Sequence, residues 1–208
     1  SGFEEAAAQG LLAGLNVACK LRGRPEIILR RDQAYAGVLI DDLTTLGTEE
    51  PYRMYTSRAE FRLLLREDNA WYRLAEIGYE VGLVPESEIE TVRAEMRLIE
   101  SEIERARSVS IPSSDALEKL FASRGIETSR PGYTRENLLK RPELEAADLS
   151  EIDPEFSSLP ETVREQVELE LKYEGYIKRQ KDAAARLIEL EELDRKSTRL
   201  NSSHTIQS

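Results

Sequence analysis

Cysteine and histidine are almost missing from this chain. Its 208 residues hold one of each, Cys19 and His204. A single cysteine cannot close an internal disulfide or build a cysteine-based zinc site, and it is compatible with a reducing compartment. A single histidine close to the C-terminus excludes His-rich metal centres and leaves little room for histidine-dependent catalysis. No catalytic residue and no metal ligand is therefore assigned. No apolar run approaches the roughly 20 residues that cross a bilayer, and no charged-then-apolar leader opens the chain. A cytoplasmic protein without membrane contact is expected. Positive charge is also short, with Lys+Arg 29 against Asp+Glu 40 and a net charge of −11. Such a chain does not attract nucleic acid everywhere, so any phosphate contact needs a local basic patch. What is present is a globular composition, 40% hydrophobic and 33% charged, with length for one or two domains.

Helical patterns dominate the order of residues. Glu4 and Glu5 precede a small-residue stretch containing Ala6, Ala7, Ala8, Gly10, Ala13 and Gly14, which predicts a thin helix beginning almost at once. A start this abrupt suggests the back half of something longer. Residues 32–46 carry Tyr35, Val38, Leu39, Leu43 and Leu46 at helical spacing, with Gly47 as the stop. Glu50-Pro51-Tyr52 reads as a loop. Residues 57–66 fit either a capping box with a helix or an alternating strand, and both place Arg58, Arg62 and Arg66 on one side. A helix over 70–80 stops near Gly82. Ile89, Val92, Met96, Ile99 and Ile103 then step by 3, 4, 3 and 4, a seam that reads as domain core before it reads as a coiled coil. Turns are expected at Pro112-Ser113-Ser114 and Arg130-Pro131-Gly132, with short helices after each. A long helix from Glu161 to Leu193 presents Val163, Val167, Leu171 and Leu187, and Gly175 inside it implies a close packing neighbour. From Lys196 to Ser208 no acid occurs, and this stretch reads as a non-native tail outside the fold.

Four stretches taken together are more specific. They are residues 1–10 (SGFEEAAAQG), 34–43 (AYAGVLIDDL), 50–70 (EPYRMYTSRAEFRLLLREDNA) and 166–180 (QVELELKYEGYIKRQ). In this order and spacing they resemble the C-terminal half of the MnmG (GidA) family, over about residues 1–194. The resemblance implies a mainly α fold: a C-terminal helical domain preceded by the last helix of an FAD-binding Rossmann-type domain that is otherwise absent. It implies residues 1–20 as that helix, 21–80 as a junction with the arginine-rich block, 81–195 as the helical domain and 196–208 as the tail. The family modifies the wobble uridine of certain tRNAs to 5-carboxymethylaminomethyluridine. It does so with FAD, NADH, a methylene-tetrahydrofolate carbon donor and the GTPase MnmE, as a homodimer. Its Gly-rich dinucleotide loop and catalytic cysteines fall before Ser1, and no G-x-G-x-x-G occurs in this chain. One departure stands at Asn69-Ala70-Trp71-Tyr72-Arg73-Leu74, where the family usually has Asn-Ala-Asp-Leu-Arg-Leu; no role of that acid is carried over.

The resemblance places Gly2, Phe3, Glu4, Glu5 and Ala6 beside the flavin ring, where backbone N–H groups at a helix start suit an electron-rich edge. The plain alternative is a small-residue packing helix. Arg53, Arg58, Arg62 and Arg66 lie within 14 residues holding one acid, Glu60, and are interleaved with Tyr52, Tyr55 and Phe61. Guanidinium groups suit phosphates, and aromatics stack on splayed bases, so tRNA contact is one reading of this block. Internal pairing with Asp41, Asp42 or Glu60 is the other. Asp41-Asp42 has no nucleophile nearby and reads as capping or surface charge. Tyr173, Glu174, Gly175 and Tyr176 match a family block and are candidates for partner contact. The competing class for the whole chain is a free-standing helical interaction module.

Overall fold

The computed structural model describes residues 2–47, 49–127 and 132–204, with side chains through residue 190 and at Leu193. The fold is mainly α, and its contacts divide it into two compact units, Ser1–Glu67 with Gly175–Ser208, and Asp68–Glu174.

In the first unit, α1 spans Phe3–Leu21, with Glu4 and Glu5 in its first turn and Lys20 in its last, each at the dipole end that suits it. Gly23 ends it with φ of 63°. The Arg24 amide reaches the Cys19 carbonyl at 2.9 Å and the Gly23 amide that of Lys20 at 3.2 Å, a Schellman closure that needs the left-handed glycine. Asn16 then holds the departing chain, accepting from the Ile27 amide at 2.6 Å and donating to its carbonyl at 3.0 Å. Helix α2 covers Tyr35–Asp41 and widens into a π-helical turn, Asp42–Leu46, that ends at Gly47. Val38, Ala59 and Leu65 form the small core here, with Tyr35 and Met54 against it.

Gly37 sits where α2 crosses an incoming loop. A Cβ there would meet the Leu29 carbonyl oxygen at 2.6 Å and that of Arg30 closer still. Backbone cannot swing aside as a side chain can, so Gly37→Ala is expected to destabilise the protein by about 1–3 kcal/mol. Chemical denaturation checks this; an unchanged midpoint would show that the loop gives way.

The second unit begins with α3, Ala70–Glu80, which stops before Gly82 with its φ of 83°. Helix α4 follows over Glu86–Ser108 and α5 over Asp115–Ser123. Helices α6 (Arg135–Leu139), α7 (Ala146–Ile152) and α8 (Pro154–Ser157) are short. The last helix, α9, runs Glu161–His204, and its residues up to Glu174 belong to this unit. Two three-residue strands, β1 (Ser110–Pro112) and β2 (Gly132–Thr134), pair antiparallel with Ile111 opposite Tyr133. Short helices need help at their starts, because so few of their amides find internal partners. Ser114, Thr134 and Asp153 each supply it, accepting from the amides of Leu117, Asn137 and Phe156. The core gathers Phe121, Leu138, Leu139, Leu144, Leu149, Phe156, Val163, Val167 and Leu171, all at most 1% exposed.

Several expectations are corrected. Residues 57–66 form neither a capping-box helix nor a strand. Thr56–Arg58 is one 3-10 turn and a second turn follows, closed by the Leu64 and Leu65 amides on the Phe61 carbonyl. Burial of Ala59, Phe61 and Leu65 follows this irregular path and not a fixed period. Gly175 has no close packing neighbour among the described residues: an added Cβ would meet only the Arg179 guanidinium, at 3.8 Å. The seam on α4 buries Ile89, Val92 and Ile99 within the unit, while Met96 stays 39% exposed. By contacts α3 groups with α4, Ala75, Tyr72 and Tyr79 packing with Ile89 and Val92. Helix α9 continues past Leu193 to His204. Ser1, the Arg130-Pro131 part of the expected turn and residues 205–208 of the expected tail lie outside the described residues.

Candidate functional site

The arginine block is organised by a residue that its own sequence does not announce. Arg31 lies within hydrogen-bond distance of five groups, the Val38 carbonyl at 3.5 Å being the most distant. Its Nη1 reaches Asp42 Oδ1 at 2.6 Å and Asp41 Oδ2 at 2.9 Å, and its Nη2 donates to Glu60 Oε1 at 2.7 Å and to the Arg58 carbonyl at 3.1 Å. The Asp42 carboxylate is 5% exposed, and its other oxygen accepts from the Tyr52 hydroxyl at 2.7 Å. Arg58 completes the cluster, 3.7 Å from Asp42 and stacked 4.6 Å over the Tyr52 ring. Burial works against the charge on Asp42, but the Tyr52 and Arg31 hydrogen bonds and the nearby guanidinium charges outweigh it and lower its pKa. Burial first, and then the hydrogen bond to Asp42, push the Tyr52 hydroxyl up to about 12.

These shifts have opposite signs in pH. Stability from Asp42 is present above its unfolded pKa and is lost as pH falls through the lower folded value. Stability from Tyr52 is present below its unfolded pKa and is lost as pH rises from about 10 toward about 12. The Tyr52→Phe variant is expected to lose on the order of 2 kcal/mol at neutral pH and to show a flatter alkaline limb. Urea melts between pH 8 and pH 12, within reach of the ordinary tyrosine range, check this; an alkaline limb as steep as wild type would assign the titration elsewhere.

The four predicted arginines are thus not equivalent. Arg58 is committed to Asp42 and Tyr52, and Arg66 Nη1 donates to the Leu63 carbonyl at 2.9 Å. Arg62 is exposed and has no ion-pair or hydrogen-bond partner among the described residues. Arg53 is exposed and its guanidinium lies against Gly2. Residues that sequence reasoning passed over hold this region in place: Arg31, and Gln180 of α9, whose Oε1 accepts from the Leu63 and Leu64 amides at 3.0 and 3.3 Å. Neither stands in a local pattern that reveals a partner so far along the chain.

The start of α1 meets the arginine block at Glu5. Gly2 caps the helix without a side chain, and Phe3 projects into solvent at 94% exposure. Glu4 and Ala6 are exposed as well. Glu5 is 8% exposed, and its Oε1 accepts from the Met54 amide at 2.9 Å. That bond leads the interactions that hold its carboxyl below the usual range, and the Arg53 charge adds to them. Its Oε2 is buried without a hydrogen-bond partner among the described residues. A buried carboxylate oxygen without a hydrogen-bond partner at a helix start suits a ligand edge that carries a donor, as a flavin ring does. No G-x-G-x-x-G occurs in the sequence to supply a pyrophosphate cradle.

In the first unit, Tyr176 is 59% exposed and carries the Arg179 guanidinium 4.5 Å over its ring, and Gly175 is exposed beside it. In the second unit, Tyr173 is 39% exposed. Glu174 is occupied internally, 2.7 Å from both Arg107 and Lys140. Among the described residues no helix is long and apolar enough to cross a membrane, and no group of three or more His, Cys, Asp or Glu could hold a metal ion.

Comparison with known proteins gives the lineage. Residues 86–181 match the tRNA modifying enzyme MnmG/GidA C-terminal helical domain. The chain is 51% identical over 191 residues to the tRNA uridine 5-carboxymethylaminomethyl modification enzyme MnmG of Pelobacter propionicus, covering 92% of this chain and 30% of that protein. It is 52% identical over 180 residues to the MnmG of Caldicellulosiruptor saccharolyticus, covering 86% of this chain and 29% of that one. A crystal structure of Aquifex aeolicus GidA superposes with a TM-score of 0.74 at 39% identity, over 92% of this chain and 29% of that one. The chain spans about 30% of the length of the relatives it matches.

Proposed function

This chain belongs to the MnmG/GidA family, and we propose that it supplies tRNA binding and partner contact to an FAD-dependent enzyme that modifies the wobble uridine of tRNA. The observation that carries this reading is Arg62, exposed and uncommitted in a turn with few acids, on a chain that otherwise repels phosphate at −11. Exposed Arg53 and Tyr55 extend the same surface, offering a second guanidinium and a ring for a splayed base. Arg58 and Arg66 shape it from within. Gly2 to Ala6, with the Glu5 carboxylate, would hold one edge of FAD, and when bound that group supplies the redox chemistry. NADH, the folate carbon donor, the 5-carboxymethylaminomethyluridine product and homodimer assembly belong to the whole cytoplasmic enzyme. Tyr173 and Tyr176, solvent-facing aromatics, are the residues through which the GTPase MnmE would be met.

Hydrogen exchange on the full-length enzyme, with and without unmodified tRNA, tests the RNA reading. Amides over residues 52–66 are expected to slow when tRNA is present. Protection confined to other segments would remove this block from the tRNA site.

A further inference from the structure

We propose that the RNA-binding surface is composite, with Gln180 pinning the turn that carries Arg62 against α9 so that Arg179 and Lys181 contact the same run of tRNA phosphates. This rests on the tRNA reading of the arginine block. Gln180 reaches the Leu63 and Leu64 amides across more than a hundred residues of sequence, at 3.0 and 3.3 Å. One turn to either side of it on α9, Ile177 and Ala184 are 4% and 5% exposed, so this face of the helix is covered. Lys178, Arg179, Lys181 and Arg186 stay in solvent. Residues 61–66 and 175–181 together hold Arg62, Arg66, Lys178, Arg179 and Lys181 and no carboxylate.

The acids that flank these stretches do little to cancel that charge. Glu60 is held by Arg31 at 2.7 Å, and Glu174 by Lys140 and Arg107. Glu67 and Asp182 are the exposed exceptions. The Arg179 guanidinium, stacked on Tyr176, offers a phosphate contact beside an exposed ring, the pairing that single-stranded RNA uses for backbone and base together. Gln180 is a positioning residue in this scheme. It carries no charge to the RNA and sets where two charged segments meet.

The test uses full-length enzyme and unmodified tRNA, with affinity measured from 50 to 200 mM salt, roughly the range over which phosphate contacts dominate. Removing both charges with Arg179→Ala and Lys181→Ala is expected to flatten the salt dependence by about 1.4–1.8 log units, at about 0.7–0.9 per lost contact. Gln180→Glu keeps an acceptor oxygen for both amides while adding a negative charge, so it should melt like wild type and bind several-fold more weakly at low salt. Lys119→Ala, on α5, is the charge-matched control and should leave the slope alone. If the double variant melts early, Lys181→Ala alone carries the measurement. An unchanged slope there, with Arg62→Ala still flattening it, overturns the composite surface and leaves the arginine-block reading standing. An unchanged slope in Arg62→Ala as well sinks both.

Discussion

Replacing Arg135 by alanine is expected to destabilise the full-length enzyme by about 3–5 kcal/mol, the largest single-residue effect foreseen for this chain. Arg135 is fully buried at the start of α6, and three carboxylates converge on it. Its Nη1 donates to Glu102 Oε2 and its Nε to Asp153 Oδ2, both at 2.8 Å, and its Nη2 to Glu155 Oε2 at 3.2 Å. Its guanidinium also lies 5.3 Å from the Phe156 ring. Burial decides how the three pairs rank. Glu102 and Asp153 are 3% and 5% exposed, so without the guanidinium they become charges in a dry interior. Glu155 is 56% exposed and returns to water, so Glu155→Gln should change little. Two contacts soften the loss: Arg105 still reaches Glu102 at 2.9 Å, and Asp153 still caps α8 through the Phe156 amide. Urea unfolding of Arg135→Ala, with Arg135→Met and Glu102→Gln combined as a double variant, separates the terms. The double should recover part of the stability because one orphaned carboxylate is gone. A single-variant loss below about 1 kcal/mol, the range of an exposed pair, would show that water replaces the guanidinium.

Arg31→Ala is expected to cost about 2–4 kcal/mol, below Arg135 because the site is shallower. The Arg31 side chain is 16% exposed, and two of its partners, Asp41 and Glu60, are 43% and 50% exposed. Those two pairs contribute little on their own. The loss comes from Asp42, 5% exposed, which would keep only the Tyr52 hydroxyl and the more distant Arg58. The variant should also lose acid resistance. Without Arg31 the folded pKa of Asp42 moves back toward its ordinary value, so its stabilisation disappears at higher pH than in wild type. Thermal melts between about pH 2 and pH 6, spanning the ordinary carboxylate range and the region below it where Asp42 titrates, check the direction. A parallel drop at every pH would place the effect in packing and not in charge.

The contrast between these two arginines and the four in the predicted block shows what the sequence can reveal. Helices with strong periodicity are legible: Phe3–Leu21, Ala70–Glu80 and Glu86–Ser108 stand where spacing, dipole-matched acids and glycine stops place them. The mainly α fold and the family follow from the same stretches. Strands β1 and β2 are three residues each, too short for alternation to register. The 57–66 segment looks periodic twice over and is neither element, because tertiary bonds from Gln180 take two of its amides. Gly175 resembles a packing glycine but borders open space. Arg31 and Arg135 could not be picked out, since burial and distant carboxylates are set by the fold and not by local composition. The clustering of Arg53, Arg58, Arg62 and Arg66 was visible, but their division between internal pairing and solvent was not. The orphaned Glu5 oxygen emerges only when Met54 is brought against α1.

That division of the arginines is the centre of the account, and tRNA affinity against salt measures it. In full-length enzyme, Arg53→Ala with Arg62→Ala should flatten the dependence by about 1.4–1.8 log units, and Arg62→Ala alone should leave the melting temperature unchanged. Arg31→Ala should do the reverse, lowering the melting temperature while keeping the wild-type slope in the fraction that stays folded. A double variant that binds tRNA with an unchanged salt slope, with Arg62→Ala melting early, would contradict the account and return all of these arginines to structure.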